Sequence, residues 1–346
     1  MLGAIIGMRM IVRRVSSALL SLAACSFLGM SSVARAQAAA KQPRLLILSK
    51  NDQLMSIVDP ATLRILGQVP TGPDPHEIVA SDDGTRAYIS NYGGGAYNTL
   101  TVVDLVNRKS LGAVDLGALR GPHGLHFSGG KVWFTAEAAK AIGSYDPATN
   151  KIDLILGSGQ DGTHMIYAFP DQGRLVTTNV GSGSVTIFEK RAGPRPNWSA
   201  TTLPAGPRSE GFDVSPDGKA VWTGNAGNGT ITVIDVATKT IANFSPNVQG
   251  ANRLKFTPDG KLVLVSTLGA PDLRIIRASD HTDIKRIPVG SGAAGIQIQP
   301  DGARAYVACS PDNYVAVVDL KSMQVVGKIE AGRNPDGLAW AVIPDR

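Results

Sequence analysis

Along Pro207–Ile241 the apolar positions fall on every second residue, in four short runs separated by turn residues. Glu210–Ser215 runs into the turn Pro216-Asp217-Gly218. Ala220–Asn225 follows and is broken by Ala226-Gly227-Asn228-Gly229. Thr230–Asp235 is a third run, and Ala237-Thr238-Lys239 turns the chain into a fourth. A period of two, punctuated by Gly, Asn and Pro, predicts half-buried antiparallel strands.

The same pattern recurs along the chain. The third run of each unit ends at Asp59, Asp104, Asp146, Glu189, Asp235, Arg277 and Asp319, at spacings of 45, 42, 43, 46, 42 and 42 residues. Seven repeats of four strands predict an all-β, seven-bladed β-propeller with antiparallel blades. Radial repetition hides the sheet edges that so many strands would otherwise expose. Arg44–Ser49 matches the second strand of a unit, and Asp336–Val342 matches a first strand. The C-terminal strand is therefore expected to complete the N-terminal blade and close the ring. Turns such as Asp83-Gly84, Asp217-Gly218 and Asp301-Gly302 place Gly where positive φ is needed. The one sizeable insertion, Lys190–Leu203, is rich in Pro and Gly and reads as a surface loop between third and fourth strands.

Composition agrees with this picture: 39 Gly and few long amphipathic helical patterns. Residues 1–36 read as a targeting segment. Arg9, Arg13 and Arg14 form a basic region, Val15–Met30 is apolar and small, and Ala34-Arg35-Ala36 is a small-x-small cleavage site. Leu22-Ala23-Ala24-Cys25 offers a lipoprotein alternative, with a lipid anchor on Cys25. Either reading exports the protein to the periplasm or beyond. Residues 37–43 are then a short extension and residues 44–346 a single propeller domain, with no transmembrane segment expected. The formal charge of +6 owes much to that leader; without its four Arg, 30 basic residues face 28 acidic ones. A balanced chain with no Lys/Arg run gives no support to nucleic-acid binding. Cys309 is the only other cysteine, so no internal disulfide is expected after cleavage.

The second strands Tyr88-Ile89-Ser90-Asn91, Val176-Thr177-Thr178-Asn179, Trp222-Thr223-Gly224-Asn225 and Tyr306-Val307-Ala308-Cys309 resemble the Tyr-Val-Thr-Asn motif of the YVTN family of β-propeller repeats. The Ser-Pro-Asp-Gly turn before it and the Thr-Val-Ile-Asp-Val-Ala-Thr segment after it match as well. The resemblance extends from Arg44 to Val342. It implies the fold and leaves the activity open, because related propellers include surface-layer proteins, lactonases and haem-binding domains. Function has to be argued from a site.

In a propeller the first strand of each blade lines the central channel. Counting back from each turn gives one matching position per blade, His76, His123, His164, Glu210, Asn252 and Ala294, and matching Pro335-Asp336-Gly337-Leu338 to Pro122-His123-Gly124-Leu125 adds Asp336. The next residues are Glu77, Gly124, Met165, Gly211, Arg253, Gly295 and Gly337. Three of the five His thus fall on one structural position in successive blades. Neighbouring Gly would let backbone or ligand approach closely. Imidazoles beside a carboxylate suit a divalent transition metal, held by His76, His123 and His164. They also suit acid–base work, with His123 or His164, Glu210 and Arg253 as base, acid and oxyanion stabiliser. A polar, water-filled lining is the third possibility. Arg120, Arg208, Arg253 and Arg333 lie near the ring, with Asp74 and Asp161 as acidic counterparts. Four Arg would favour an anionic ligand, unless each ties down its own loop. The second-to-third strand loops bring Asn91, Tyr92, Glu137, Asn179, Asn225 and Cys309 to the same side. Cys309 is expected to be a buried, inert thiol, His126 a core or channel residue, and His281 a solvated turn residue.

No phosphate-binding Gly loop, His-Glu-x-x-His helix, Cys-x-x-Cys-His haem site or Gly-x-Ser-x-Gly elbow is present in the sequence. The reading that remains is a binding module for a small anionic ligand, a metal ion or a protein partner, using the channel mouth or a propeller face. A lactonase-like hydrolase or lyase at the same mouth is the alternative.

Overall fold

The computed structural model describes residues 41–193 and 197–345. It holds seven four-stranded antiparallel sheets and, among the described residues, a single short 3-10 turn at Gly93–Gly95. The segment read as a leader, including Cys25, lies outside the described residues. Among those described, no helix is long and apolar enough to cross a membrane.

Each sheet is one blade. Blade 1 runs Pro335–Pro344, Lys41–Ser49, Leu54–Val58, Ile65–Pro70 from the axis outward. Blades 2 to 7 begin with the inner strands Pro75–Ala80, Pro122–Ser128, Thr163–Ala168, Ser209–Val214, Ala251–Phe256 and Ala293–Ile298. The seven inner strands touch one another in an unbroken cycle, which closes the ring around a central axis. Closure is made by Pro335–Pro344 pairing with Lys41–Ser49, from Lys41↔Pro344 to Ser49↔Pro335. Lys41, Gln42 and Pro43 thus belong to the sheet, where a loose extension through residue 43 was expected.

Apolar faces of neighbouring blades form the core. Leu46, Ile57, Ile78 and Ile89 bury together between blades 1 and 2. Leu264, Leu273, Ile296 and Val307 do so between blades 6 and 7. Removing one such side chain to Ala costs about 2–5 kcal/mol, so the inter-blade seams are rigid. Lys190–Leu203 is mostly strand and not loop. Ser184–Arg191 pairs with Asn197–Pro204 throughout, and the alternating burial of the latter puts Trp198 against Phe188 and Ile142. The alternation within Trp198–Leu203 outweighs the Pro and Gly that precede it. The Asp-Gly turns hold Gly84, Gly218, Gly260 and Gly302 at φ of 70 to 74°. Blade 4 departs, with Gln172 taking positive φ in place of Gly173.

The Asn that ends the repeat motif has a structural job. Asn91 donates to Thr99 and Thr101, Asn179 to Ser184 and Thr186, and Asn225 to Thr230 and Thr232. In each case a buried amide ties together two hydroxyls of the third strand. These three Asn are scaffold, not site.

Candidate functional site

The matching position falls on the second residue of every inner strand, as counting implied. What counting did not show is the backbone there. All seven inner strands carry a β-bulge at this point: two residues on the inner strand oppose one on the second strand. A bulge re-aims side chains and is a common device beside functional sites. Here it gives the ring two tiers, His76 and Glu77 in blade 2 and Asn252 and Arg253 in blade 6, for example.

Hydroxyls on the second strand hold several bulges. Ser90 Oγ accepts the Glu77 N–H at 3.0 Å and donates to the His123 carbonyl at 2.8 Å. Thr135 accepts from Gly124 and donates to the His164 carbonyl. Ser266 does the same between Arg253 and Ala294. Thr178 donates to the Glu210 carbonyl at 2.7 Å. Each hydroxyl locks one blade's bulge to the next blade's ring residue. The glycines of the lower tier serve the same close packing. A Cβ on Gly124 would lie 2.5 Å from the His164 carbonyl oxygen, and one on Gly295 2.1 Å from that of Asp336. Backbone, not ligand, approaches these glycines.

The three imidazoles come together in a row. The His76 and His123 rings lie 4.4 Å apart and tilted by 55°, and the His123 and His164 rings 3.7 Å apart and stacked at 29°. Tyr92 covers the row, its ring 5.1 Å from His76 and 4.9 Å from His123, and its hydroxyl donates to Glu137. His164 Nδ1 lies 2.5 Å from the other Glu137 oxygen. On its far side Glu210 sits 2.9 Å from Nε2, off the line of a hydrogen bond, so that contact is electrostatic. Arg253 bonds Glu77 at 2.5 Å and stands 3.7 Å from Glu210. Lys50 bonds Asp336 at 2.9 Å, and His76 Nε2 lies 3.5 Å from the same oxygen.

Charge states follow from these neighbours. Burial, then the nearby His164 and His76, hold His123 well below the usual histidine range, so it is neutral. Burial lowers His76 as well, against the pull of Asp336. Burial also opposes charge on His164, but Glu137 and Glu210 outweigh it and raise its pKa to about 9. Burial would raise Glu210; His164 and Arg253 instead bring it down to about 2. Neutral His123 therefore lies face to face with an imidazolium clamped between two carboxylates.

Several expectations change here. Among the described residues no group of three or more His, Cys, Asp or Glu is placed to hold a metal ion. Glu210, already ionised, has no proton to give as an acid, and His164, already protonated, is no base. The ring is also no cationic trap. Arg333 is tied to Asp52 at 2.7 Å and Arg120 donates to the Ala96 carbonyl at 2.5 Å, so both fasten loops. Arg208 is exposed beside Glu210. Asn252 is buried in the upper tier. Ala294 leaves blade 7 apolar. His281 is not solvated: it stacks on Phe244 at 4.2 Å, with Trp222 edge-on at 5.0 Å. Cys309 is fully buried, and burial pushes its thiol up to about 11.

Sequence reasoning missed Lys50. It is the residue directly after a second strand, equivalent to Tyr92 and Glu137, and the same counting applied to that position would have found all three. The remaining blades place Val180, Ala226, Leu268 and Ser310 there.

Below the ring lies a cavity of about 280 Å³. It is lined by lower-tier residues Glu77, Met165, Arg253 and Gly295 and by inner-strand residues as far as Ala80 and Phe127. In the upper tier His123 is 1% exposed, while His76 and Glu210 stay half-buried. The chamber lies on the far side of the ring from the mouth that the sequence pointed to. His126 lines this chamber, its Nδ1 accepting from the Ala168 N–H at 3.2 Å and burial lowering its pKa to about 4.

Among solved structures, a functionally unknown protein from Desulfotomaculum acetoxidans is similar at a TM-score of 0.72 and 15% identity, covering 88% of this chain and 99% of that one. Hydrazine synthase of Kuenenia stuttgartiensis is similar at 0.71 and 19% identity over 80% and 92%. A candidate 6-phosphogluconolactonase from Bacteroides fragilis is similar at 0.69 and 16% identity over 87% and 98%. At these identities the likeness is one of fold, that of the seven-bladed propellers. No protein-family model and no curated protein matches the chain. The motif resemblance to YVTN repeats is supported at the level of fold.

Proposed function

We propose that the protein is an exported small-molecule-binding propeller whose ligand sits in the axial chamber beneath the two-tiered ring. The observation that carries this is the chamber's lining, which gathers Glu77, His126, Arg253, Lys255 and Gln297 from four blades around one space of about 280 Å³. Arg253, 6% exposed, is fixed there by Glu77 at 2.5 Å and Glu210 at 3.7 Å. A few polar groups converging on one cavity mark a ligand site. The chamber is at the small end of ligand pockets. A thermal-shift screen of a polar fragment library tests the reading. Hits are expected to raise the melting temperature of the full chain and to lose at least part of that shift in Arg253→Lys. A screen in which no compound shifts the wild type rejects it.

A lactonase-like hydrolase is the second reading, favoured by the likeness to candidate 6-phosphogluconolactonases. Arg253 would stabilise the developing oxyanion, and the base would have to face the chamber, as Glu77 does. Hydrolysis of 6-phosphogluconolactone above the spontaneous rate, lost in Glu77→Gln, would support it. No acceleration over buffer across a lactone panel would remove it.

A further inference from the structure

We infer that the occupant of the axial chamber is a neutral, polyhydroxylated molecule of monosaccharide size, such as an aldose. This rests on the reading of the chamber as a binding site. Charge balance comes first. Lys50, Arg253, Lys255 and the His164 imidazolium stand against Glu77, Glu137, Glu210 and Asp336 in and around the chamber ceiling. Of the cations that line the chamber itself, Arg253 bonds Glu77 at 2.5 Å and Lys255 lies 3.5 Å from Asp213, so neither is an unpaired counter-ion for a charged ligand. The ligand's affinity must come from hydrogen bonds and apolar contact.

The unfilled hydrogen-bonding capacity has the pattern a hydroxylated ligand matches. Arg253 uses one terminal nitrogen on Glu77 and turns the other, itself buried, toward Glu210 at 3.7 Å. Glu77 receives that bond on Oε1, and its second oxygen has no partner. Gln297 spends its amide nitrogen on the Ile298 carbonyl at 2.7 Å, leaving its carbonyl oxygen as an acceptor. Neutral His126 accepts at Nδ1, so its proton resides on Nε2, which is a free donor. One donor and two acceptors thus come from blades 3, 2 and 7 to one space. A carboxylate satisfies only donors and an ammonium only acceptors, whereas each hydroxyl does both. Trp340, half-buried against the core cluster of Tyr306 and Leu338, also lines the chamber and adds apolar contact.

Calorimetry on the full chain with one scaffold in three charge states tests this: a panel of neutral aldoses (D-glucose, D-galactose, D-xylose), D-gluconate and D-glucosamine. A neutral aldose is expected to bind, with the two charged compounds about tenfold weaker or worse. Gln297→Ala, a half-buried position away from the ion pairs, is expected to weaken it about tenfold, as loss of one hydrogen bond does. Should that variant unfold, His126→Phe asks the same of the Nε2 donor. Tighter binding of gluconate or glucosamine, or aldose binding indifferent to both substitutions, overturns the inference. If no sugar binds but fragments of other chemistry stabilise the chain, the inference fails and the binding-module reading stands. If nothing binds, both fail.

Discussion

Blades 2 to 4 and blade 7 are built on one repeat and end in opposite chemistry. In blades 2 to 4 the ring carries His76, His123 and His164, capped by Tyr92 and Glu137 and held by the hydroxyls of Ser90, Thr135 and Thr178. In blade 7 the matching residues are Ala294, Ser310 and Ala308, beside a buried Cys309. The bulge is present in both. The propeller therefore supplies two inward-aimed positions per blade everywhere, and the side chains decide whether a blade takes part in a site. Regular repetition makes the frame; departure from it makes the chemistry.

The largest effect should come from removing the strand that joins the two halves. Blade 1 lies between blades 7 and 2, and its inner strand also supplies Asp336. Deleting residues 335–346 leaves the paired face of Lys41–Ser49 bare and opens the ring. We expect the loss of cooperative thermal unfolding, since the whole stability of such a domain is about 5–15 kcal/mol. A truncated chain that melts as sharply and at the same temperature as the full one would show that closure is not what holds the halves together.

Arg253→Gln comes next. It leaves Glu77 and Glu210 buried with no guanidinium between them, and breaking a buried pair from one side costs about 3–5 kcal/mol. The double variant Arg253→Gln/Glu77→Gln should recover part of that loss in urea unfolding. If the double variant is as unstable as the sum of both single ones, the two side chains act independently and the cluster is not a unit.

The stacked imidazoles give a test by pH. His164 is raised from 6.5 to about 9, so its contribution is complete below pH 6.5 and is lost as pH rises through about 9. It is on the order of 3 kcal/mol at one pKa unit per 1.36 kcal/mol. His123 is lowered, so the unfolded chain binds the proton more readily and stability falls as pH drops below 6.5. Glu210, lowered from 4.5 to about 2, adds a further loss as pH falls through that range. Stability should therefore peak near pH 6.5. His164→Gln should flatten the alkaline side, and His123→Gln should lessen the acid-side loss, the remainder coming from His76 and His126, which burial also lowers. A wild-type profile flat from pH 5 to 9 would contradict these charge states.

The frame was legible because its signals are local. Period-two alternation, Asp-Gly turns and a spacing near 43 residues are all short-range, and counting from a turn, with one motif match, found the ring position in every blade. The bulge was not legible, since it depends on pairing between strands, and with it went the lower tier's role. Lys50 was missed because the second-to-third strand loops were read without that of blade 1, which opens the chain. The protonation of His164 and Glu210 depends on three blades meeting, and no single repeat contains that information. His281 was misjudged because its packing partners, Phe244 and Trp222, belong to the preceding blade. In Lys190–Leu203 composition was given weight over alternation, and the alternation was the better guide.

The smallest effect tests the scaffold itself. Asn ends the second strand only where the third strand offers two hydroxyls: Thr99 and Thr101, Ser184 and Thr186, Thr230 and Thr232. Blade 7 pairs Cys309 with Tyr314 and Ala308 with Val315, so Ala316 stands where the second hydroxyl would be. Placing the motif's Asn there should therefore harm the protein. Cys309→Asn buries an amide with nothing to hold, at a cost of about 1–3 kcal/mol, whereas Cys309→Val should change stability by less. Adding Ala316→Thr to Cys309→Asn should return part of the loss by supplying one acceptor. If Cys309→Asn is neutral or stabilising in urea unfolding, the amide finds a partner without the hydroxyls, and the motif's Asn is not defined by the third strand it faces.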